Sequence, residues 1–146
     1  MPVLNEVKYI SNSIGSILRQ SYNLDCEEII ISDGGSNDGT LERITQLQTL
    51  NPNIKLINNP TKIVSSGFNS ALSIAKGEII IRVDGHCEIP RNYIEKCYRL
   101  LQDMDVDIVG GVIETISPGI IGKAISISQS SWFGVGNIEF RNSEIN

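Results

Sequence analysis

The chain has 146 residues, 40% of them hydrophobic and 20% charged, which suits one globular domain with a core of its own. Its net charge is −5 and its 12 Lys and Arg residues form no cluster, so a nucleic-acid backbone is not an expected partner. No apolar run is long enough to span a membrane, no signal peptide opens the chain, and Cys26, Cys87 and Cys97 form no CxxC pair, a pattern that fits a reducing, cytoplasmic setting.

The first residues, Met1 to Glu6, read as the tail of a strand and its turn. A helix is predicted after Asn5, a good N-cap residue, with Val7, Ile10, Ile14, Ile17 and Leu18 as one apolar stripe to about Gln20. A β-branched run from Glu28 ends at Asp33 and reads as a buried parallel strand. Gly34 to Gly39 form a loop, and Asp38 or Thr40 is expected to cap a helix carrying Leu41, Ile44 and Leu47. Ile54–Ile57 reads as a short strand that stops at Asn58-Asn59-Pro60. A third helix is expected from Val64 to Lys76, burying Phe68, Ala71, Leu72 and Ala75, with Gly77 as its C′ residue. A second apolar run then ends at Asp84. Pro90 suits the first turn of a helix carrying Tyr93, Ile94, Cys97, Leu100 and Leu101. Asp107–Ile113 reads as a strand, and Ile120–Ser128 as a weaker helix.

Strand and helix alternate with short connectors. This predicts an α/β fold: a mostly parallel sheet, helices on both faces and right-handed crossovers. Residues 1–146 read as a single domain, cut at both ends.

Two strand-ending aspartates stand out, because ligands of such sheets collect beyond the strands' carboxyl ends. Asp33 heads Asp-Gly-Gly-Ser-Asn-Asp-Gly-Thr, whose glycines let backbone approach a ligand closely. It is suited to accept hydrogen bonds from a base or ribose; the plainer alternative is a capping turn. Asp84 heads Asp84-Gly85-His86, where two side chains, two residues apart, can share one side of an extended segment. Together they suit a divalent ion held against a diphosphate, and imidazole favours Mn²⁺ over Mg²⁺. The plainer alternative is a turn cap beside a polar loop residue. Zinc held by His86 and Cys87 lacks a second ligand pair. No GxGxxG appears, Gly119–Ala124 only echoes a phosphate-binding loop, and Trp132-Phe133 reads as core.

In order, Pro2-Val3-Leu4-Asn5-Glu6, the Asp33 loop, Ser66-Gly67-Phe68-Asn69 and Asp84 after Gly77-Glu78 resemble the family 2 glycosyltransferases of the GT-A fold. The likeness covers nearly the whole chain. Arg82-Val83-Asp84-Gly85-His86 and Phe133 to Arg141 are most similar to bacterial exopolysaccharide enzymes of the succinoglycan type.

The resemblance implies a GT-A, Rossmann-like domain, here its nucleotide-sugar-binding half. Val3, Glu6, Asp33, Asn69 and Asp84 would line the nucleotide-sugar site, with Asp33 at the base or ribose. Asp84 and His86 would hold a divalent metal, Mn²⁺ or Mg²⁺. The donor would be a UDP-sugar and the acceptor a glycan or lipid-linked sugar hydroxyl, with transfer inverting. The family's general base would lie beyond this chain, since Glu114 and Glu139 match no family motif, and so would any membrane anchor. Two rivals stand beside this reading: the same fold as a non-catalytic sugar-nucleotide-binding or scaffolding domain, and a different nucleotide-binding fold such as an oxidoreductase.

Overall fold

In the computed structural model, residues 1–22, 28–116 and 119–130 are described. The chain divides into two compact units, Met1–Tyr98 and Arg99–Asn146. The first holds β1 (Pro2–Val3), α1 (Ile10–Leu18), β2 (Ile29–Asp33), α2 (Thr40–Leu50), β3 (Ile54–Asn58) and α3 (Val64–Leu72). Helix α4 (Tyr93–Met104) begins in this unit and ends in the second, which also contains α5 (Gly119–Ser130).

The sheet has the order β1-β2-β3 and is parallel throughout. Side chains alternate across β2. Ile29 and Ile31 pack with Ile10, Ile14 and Ile17 of α1, Ile44 of α2 and Ile54 of β3. On the other side, Ser32 meets α3, where a Cβ at Gly67 would lie 2.9 Å from the Ser32 hydroxyl and 2.7 Å from Asn59 Nδ2. Helices therefore cover both faces, and α3 sits so close that only glycine fits at the contact. Five isoleucines, Ile10, Ile14, Ile31, Ile44 and Ile54, are essentially inaccessible, each contributing about 1.5–3 kcal/mol of burial.

Several elements differ from expectation. Asn5 does not cap α1: the helix starts at Ile10 with Tyr9 at the N-cap, and Asn5 is left-handed at φ 57°. Its side chain serves the Asp33 loop instead. Helix α3 stops at Leu72, not Lys76, and leaves Leu72 38% exposed. The Lys76 N–H donates to the Glu28 carboxylate, which Lys55 also grips, so the chain is drawn off the helical path there. These bonds hold the Glu28 carboxyl below its ordinary range.

The run before Asp84 forms no strand: the chain bends at Glu78 and Ile79 and is not laddered beyond them. A strand needs a neighbour's backbone groups, and β1, at the sheet's edge, offers only two residues. Ile79 and Ile80 remain 40% and 45% exposed, beside an apolar cavity of about 450 Å³ that Ile30, Phe68 and Ala71 also line. Asp107–Ile113 likewise forms no strand, and Ile108 is 86% exposed. Helices α4 and α5 fall where the apolar spacing predicts them. Cys26, Trp132, Phe133 to Arg141 and Glu139 lie outside the described residues. Among those that are described, no helix is long and apolar enough to cross a membrane.

The Met1 amine is buried against the sheet and donates to the Ile30 carbonyl at 2.8 Å. Burial pushes its pKa down from 8.0 to about 6, against an opposing pull from Asp84 and with a smaller push from Arg82. Below pH 6 the amine is charged in both states and folding bears the desolvation cost; above pH 8 it is neutral in both. Stability of the free-amine chain is therefore expected to rise by roughly 2 kcal/mol between these limits. Urea melts at pH 6 and pH 8 test this, and an N-acetylated chain should lose that slope.

Candidate functional site

Val3 stands between the two aspartate-bearing segments. On one side it is in register with Asp33, and its carbonyl accepts the Gly34 N–H at 2.9 Å. On the other, a Cβ at Gly85 would lie 2.9 Å from Val3 Cγ1 and 3.1 Å from Glu6 Cγ. A side chain there would displace the Asp84–His86 segment, so glycine permits the close seating.

The Asp33 loop is tied to residues 5–7. The Asn5 N–H donates to Ser36 Oγ (2.9 Å), and Asn5 Oδ1 accepts the Asn37 N–H (3.0 Å). The Glu6 N–H donates to Thr40 Oγ1 (2.8 Å), and the Val7 N–H to Asp38 Oδ2 (3.1 Å). Asp38 also accepts the Thr40 N–H and hydroxyl, and these bonds lower its pKa, the Thr40 hydroxyl foremost. Asp38 therefore does cap α2, from one residue before the geometric N-cap Gly39.

The Asp84 segment is tied to α1 through buried polar side chains. Ser13 Oγ donates to the Asp84 carbonyl (3.1 Å), and Ser16 Oγ accepts the Ile89 N–H (3.1 Å). Gln20 donates to the Pro90 carbonyl (2.8 Å) and accepts the Ile94 N–H (3.1 Å). Ser13, Ser16 and Gln20 are all less than a tenth exposed. The sequence reading overlooked them, although they recur three and four residues apart along the apolar helix α1 and just past its end.

At the carboxyl ends of these elements lies a crevice of about 160 Å³, with Val3, Glu6, Asp84 and His86 in its lining, joined by the cations Lys62 and Arg82. Four of the expected site residues thus meet. Asp33 and Asn69 do not line it. Both oxygens of the buried Asp33 carboxylate are taken by its own loop: Gly35 N–H (2.7 Å), Ser36 N–H (3.0 Å) and Ser36 Oγ (2.5 Å). Asn69 is exposed on α3.

Within the crevice, Arg82 forks onto Asp84, Nε to Oδ1 at 3.0 Å and Nη2 to Oδ2 at 3.3 Å. His86 Nδ1 lies 2.8 Å from Glu6 Oε1. With the carboxylate accepting, a neutral imidazole carries its proton on Nδ1 and turns the Nε2 lone pair outward. A carboxylate that orients a histidine in this way is usual behind a metal-binding imidazole. Ligand atoms of Asp84, His86 and Cys87 all lie within 4.8 Å of one another. Burial, with Asp84 adding to it, pushes the Cys87 thiol up and keeps it protonated, so Asp84 and His86 are the better donors. A carboxylate and an imidazole fit a divalent ion such as Mn²⁺.

Residues 1–141 match the family described as Glycosyl transferase family 2. The chain is 33% identical over 146 residues to the succinoglycan biosynthesis protein ExoA of Rhizobium meliloti, covering 97% of the chain and 43% of that protein. It is 29% identical over 119 residues to the glycosyltransferase AglE of Haloferax volcanii, covering 81% and 39%. The chain thus spans less than half the length of these curated relatives. Among solved structures, the mannosyltransferase PcManGT from Pyrobaculum calidifontis in complex with GDP-Man and Mn²⁺ superposes with a TM-score of 0.66 at 26% identity, covering 70% of this chain and 31% of that one. S. aureus TarS 1–349 in complex with UDP gives 0.64 at 24%, covering 81% and 36%, and speaks to the fold alone.

Removing the Asp33 carboxylate would leave three donors at the loop without their acceptor. Asp33→Ala is expected to cost on the order of 2 kcal/mol. A lower melting temperature is the readout, with Asp33→Asn, which keeps one acceptor oxygen, losing less.

Proposed function

This chain belongs to the family 2 glycosyltransferases, and from that premise we propose that its crevice holds the diphosphate of a nucleotide-activated sugar, as the donor-binding part of a sugar-transferring enzyme. The observation that carries this reading is the meeting of Glu6, Asp84 and His86 with Lys62 and Arg82 in one crevice at the carboxyl ends of a parallel sheet. A donor diphosphate needs positive charge around it, and an acidic chain must gather that charge locally.

In this proposal the donor is a UDP-sugar, Val3 and Glu6 flank the nucleotide, and Asp33 sets the shape of the neighbouring loop through its closed hydrogen bonds. Asp33 and Asn69 would reach the donor only with a change of side-chain position. Asp84 and His86 would hold a divalent cation, which supplies Lewis-acid stabilisation of the departing diphosphate. PcManGT, with its GDP-Man and Mn²⁺, supports a nucleotide-sugar donor and the ion, though not the choice of uridine. Transfer to an acceptor hydroxyl proceeds with inversion in this proposal, a carboxylate taking the hydroxyl proton as the oxygen attacks C1. Glu114, exposed and outside helix and strand, carries no argument for that role. The likeness to ExoA supports an exopolysaccharide or cell-envelope glycan as the product.

Calorimetric titration with UDP in the presence of Mn²⁺ tests the donor site. Asp84→Ala is expected to weaken binding by about tenfold or more, the scale of losing a charge-assisted ligand contact. Equal affinities would remove Asp84 from the site. GDP run in parallel reports the base preference, and tighter binding of GDP would overturn the assignment to UDP.

A further inference from the structure

We propose that Arg82 is an exchangeable partner of Asp84: it occupies the carboxylate while the crevice is empty, and moves with Lys62 onto the donor's diphosphate, freeing Asp84 for the cation. This rests on the donor-site reading above and adds an order of events and a binding role for two basic residues.

The fork of Arg82 engages both Asp84 oxygens, so a cation approaching Asp84 meets a carboxylate already neutralised by a guanidinium. Two positive groups cannot share those oxygens at full strength, because their mutual repulsion subtracts from each attraction. The pair is also easily parted. The side chains of Arg82 and Asp84 are 52% and 34% exposed, and exchange between partners of a solvated ion pair costs little. A guanidinium fork matches the geometry of a phosphate as well as that of a carboxylate, so the same group serves either partner.

Lys62 supplies the second arm. It lies in the same crevice, held at a left-handed φ of 59° that non-glycine residues rarely adopt. Its N–H donates to the Asn59 carbonyl at 3.1 Å, and its stem comes within 3.8 Å of the place a Cβ would take at Gly35. Its ammonium therefore serves the crevice from the side of the Asp33 loop, while Arg82 serves it from the side of Asp84. A diphosphate set between them meets a cation from each segment before any metal is present.

The consequence is opposite effects on two ligands. Arg82→Gln should tighten Mn²⁺ alone, because Asp84 is then unclaimed, by about tenfold for removal of one nearby positive charge. It should weaken UDP measured in EDTA by about as much. Arg82→Lys, which keeps the charge but loses the fork, should fall between wild type and Arg82→Gln on both measures. Lys62→Gln should weaken metal-free UDP and leave Mn²⁺ alone unchanged. Electron paramagnetic resonance of free Mn²⁺ reads the first quantity and calorimetry the second. Wild-type binding of UDP with Mn²⁺, combined with no change of either affinity in Arg82→Gln, would overturn the exchange and leave the donor site standing. Absence of UDP binding by the wild type, with and without Mn²⁺, would overturn both.

Discussion

The buried polar side chains of α1 and of the turn that follows it are the constraint on which the site depends. Ser13, Ser16 and Gln20 are shielded from water, and a buried donor or acceptor without a partner costs about 1–3 kcal/mol. Their partners are backbone groups of residues 84–94. A segment with no strand ladder to fix it is therefore held in place by side chains of α1 and of Gln20 just beyond it. That hold sets where Asp84 and His86 stand relative to Glu6, and Glu6 is in turn positioned by Thr40 at the head of α2.

The electrostatics of the crevice follow from the same placement. A chain of net charge −5 brings two basic residues to a concavity that Glu6 and Asp84 also line. Neither carboxylate is left alone: Asp84 is paired with Arg82, and Glu6 with His86. Both carboxylates of the crevice are thus hydrogen-bonded, and a cation that binds Asp84 as proposed would enter by displacing Arg82 rather than by meeting a bare charge. The GT-A fold supplies the scaffold for this, with the parallel sheet delivering its strand ends to one edge.

Much of this was legible in the sequence. Apolar spacing located α1, α2, α4 and α5, the β-branched runs located β2 and β3, and motif order pointed to the family. Val3, Glu6, Asp84 and His86 line one crevice. The errors have physical sources. Asn5 suits an N-cap but also tolerates left-handed backbone better than most residues, and the structure uses that second property. Residues 78–83 and 107–113 have the composition of strands, but strand formation also needs a neighbour, and propensity cannot report one. Asp33 ends a strand, which suits either a ligand-facing group or a capping turn, and its bonds in the structure are those of the turn. Three donors of its own loop bond the carboxylate, a local competition that aspartate next to Gly-Gly-Ser invites. Ser13, Ser16 and Gln20 were overlooked because polar residues on a helix are ordinarily solvent-facing, and only their spacing hinted otherwise.

The stitching of residues 5–7 to the Asp33 loop has a kinetic consequence. Backbone N–H groups of Asn5, Glu6, Val7 and Asn37 are already committed to side chains across the gap, so that rim of the crevice is rigid before anything arrives. The entropy of ordering those residues is met once, at folding, and is not charged again at each encounter. A donor bound as proposed would then meet a rim already set, and the rearrangement left to it would fall on side chains, on the nanosecond scale of rotamer exchange, rather than on a loop that must first settle.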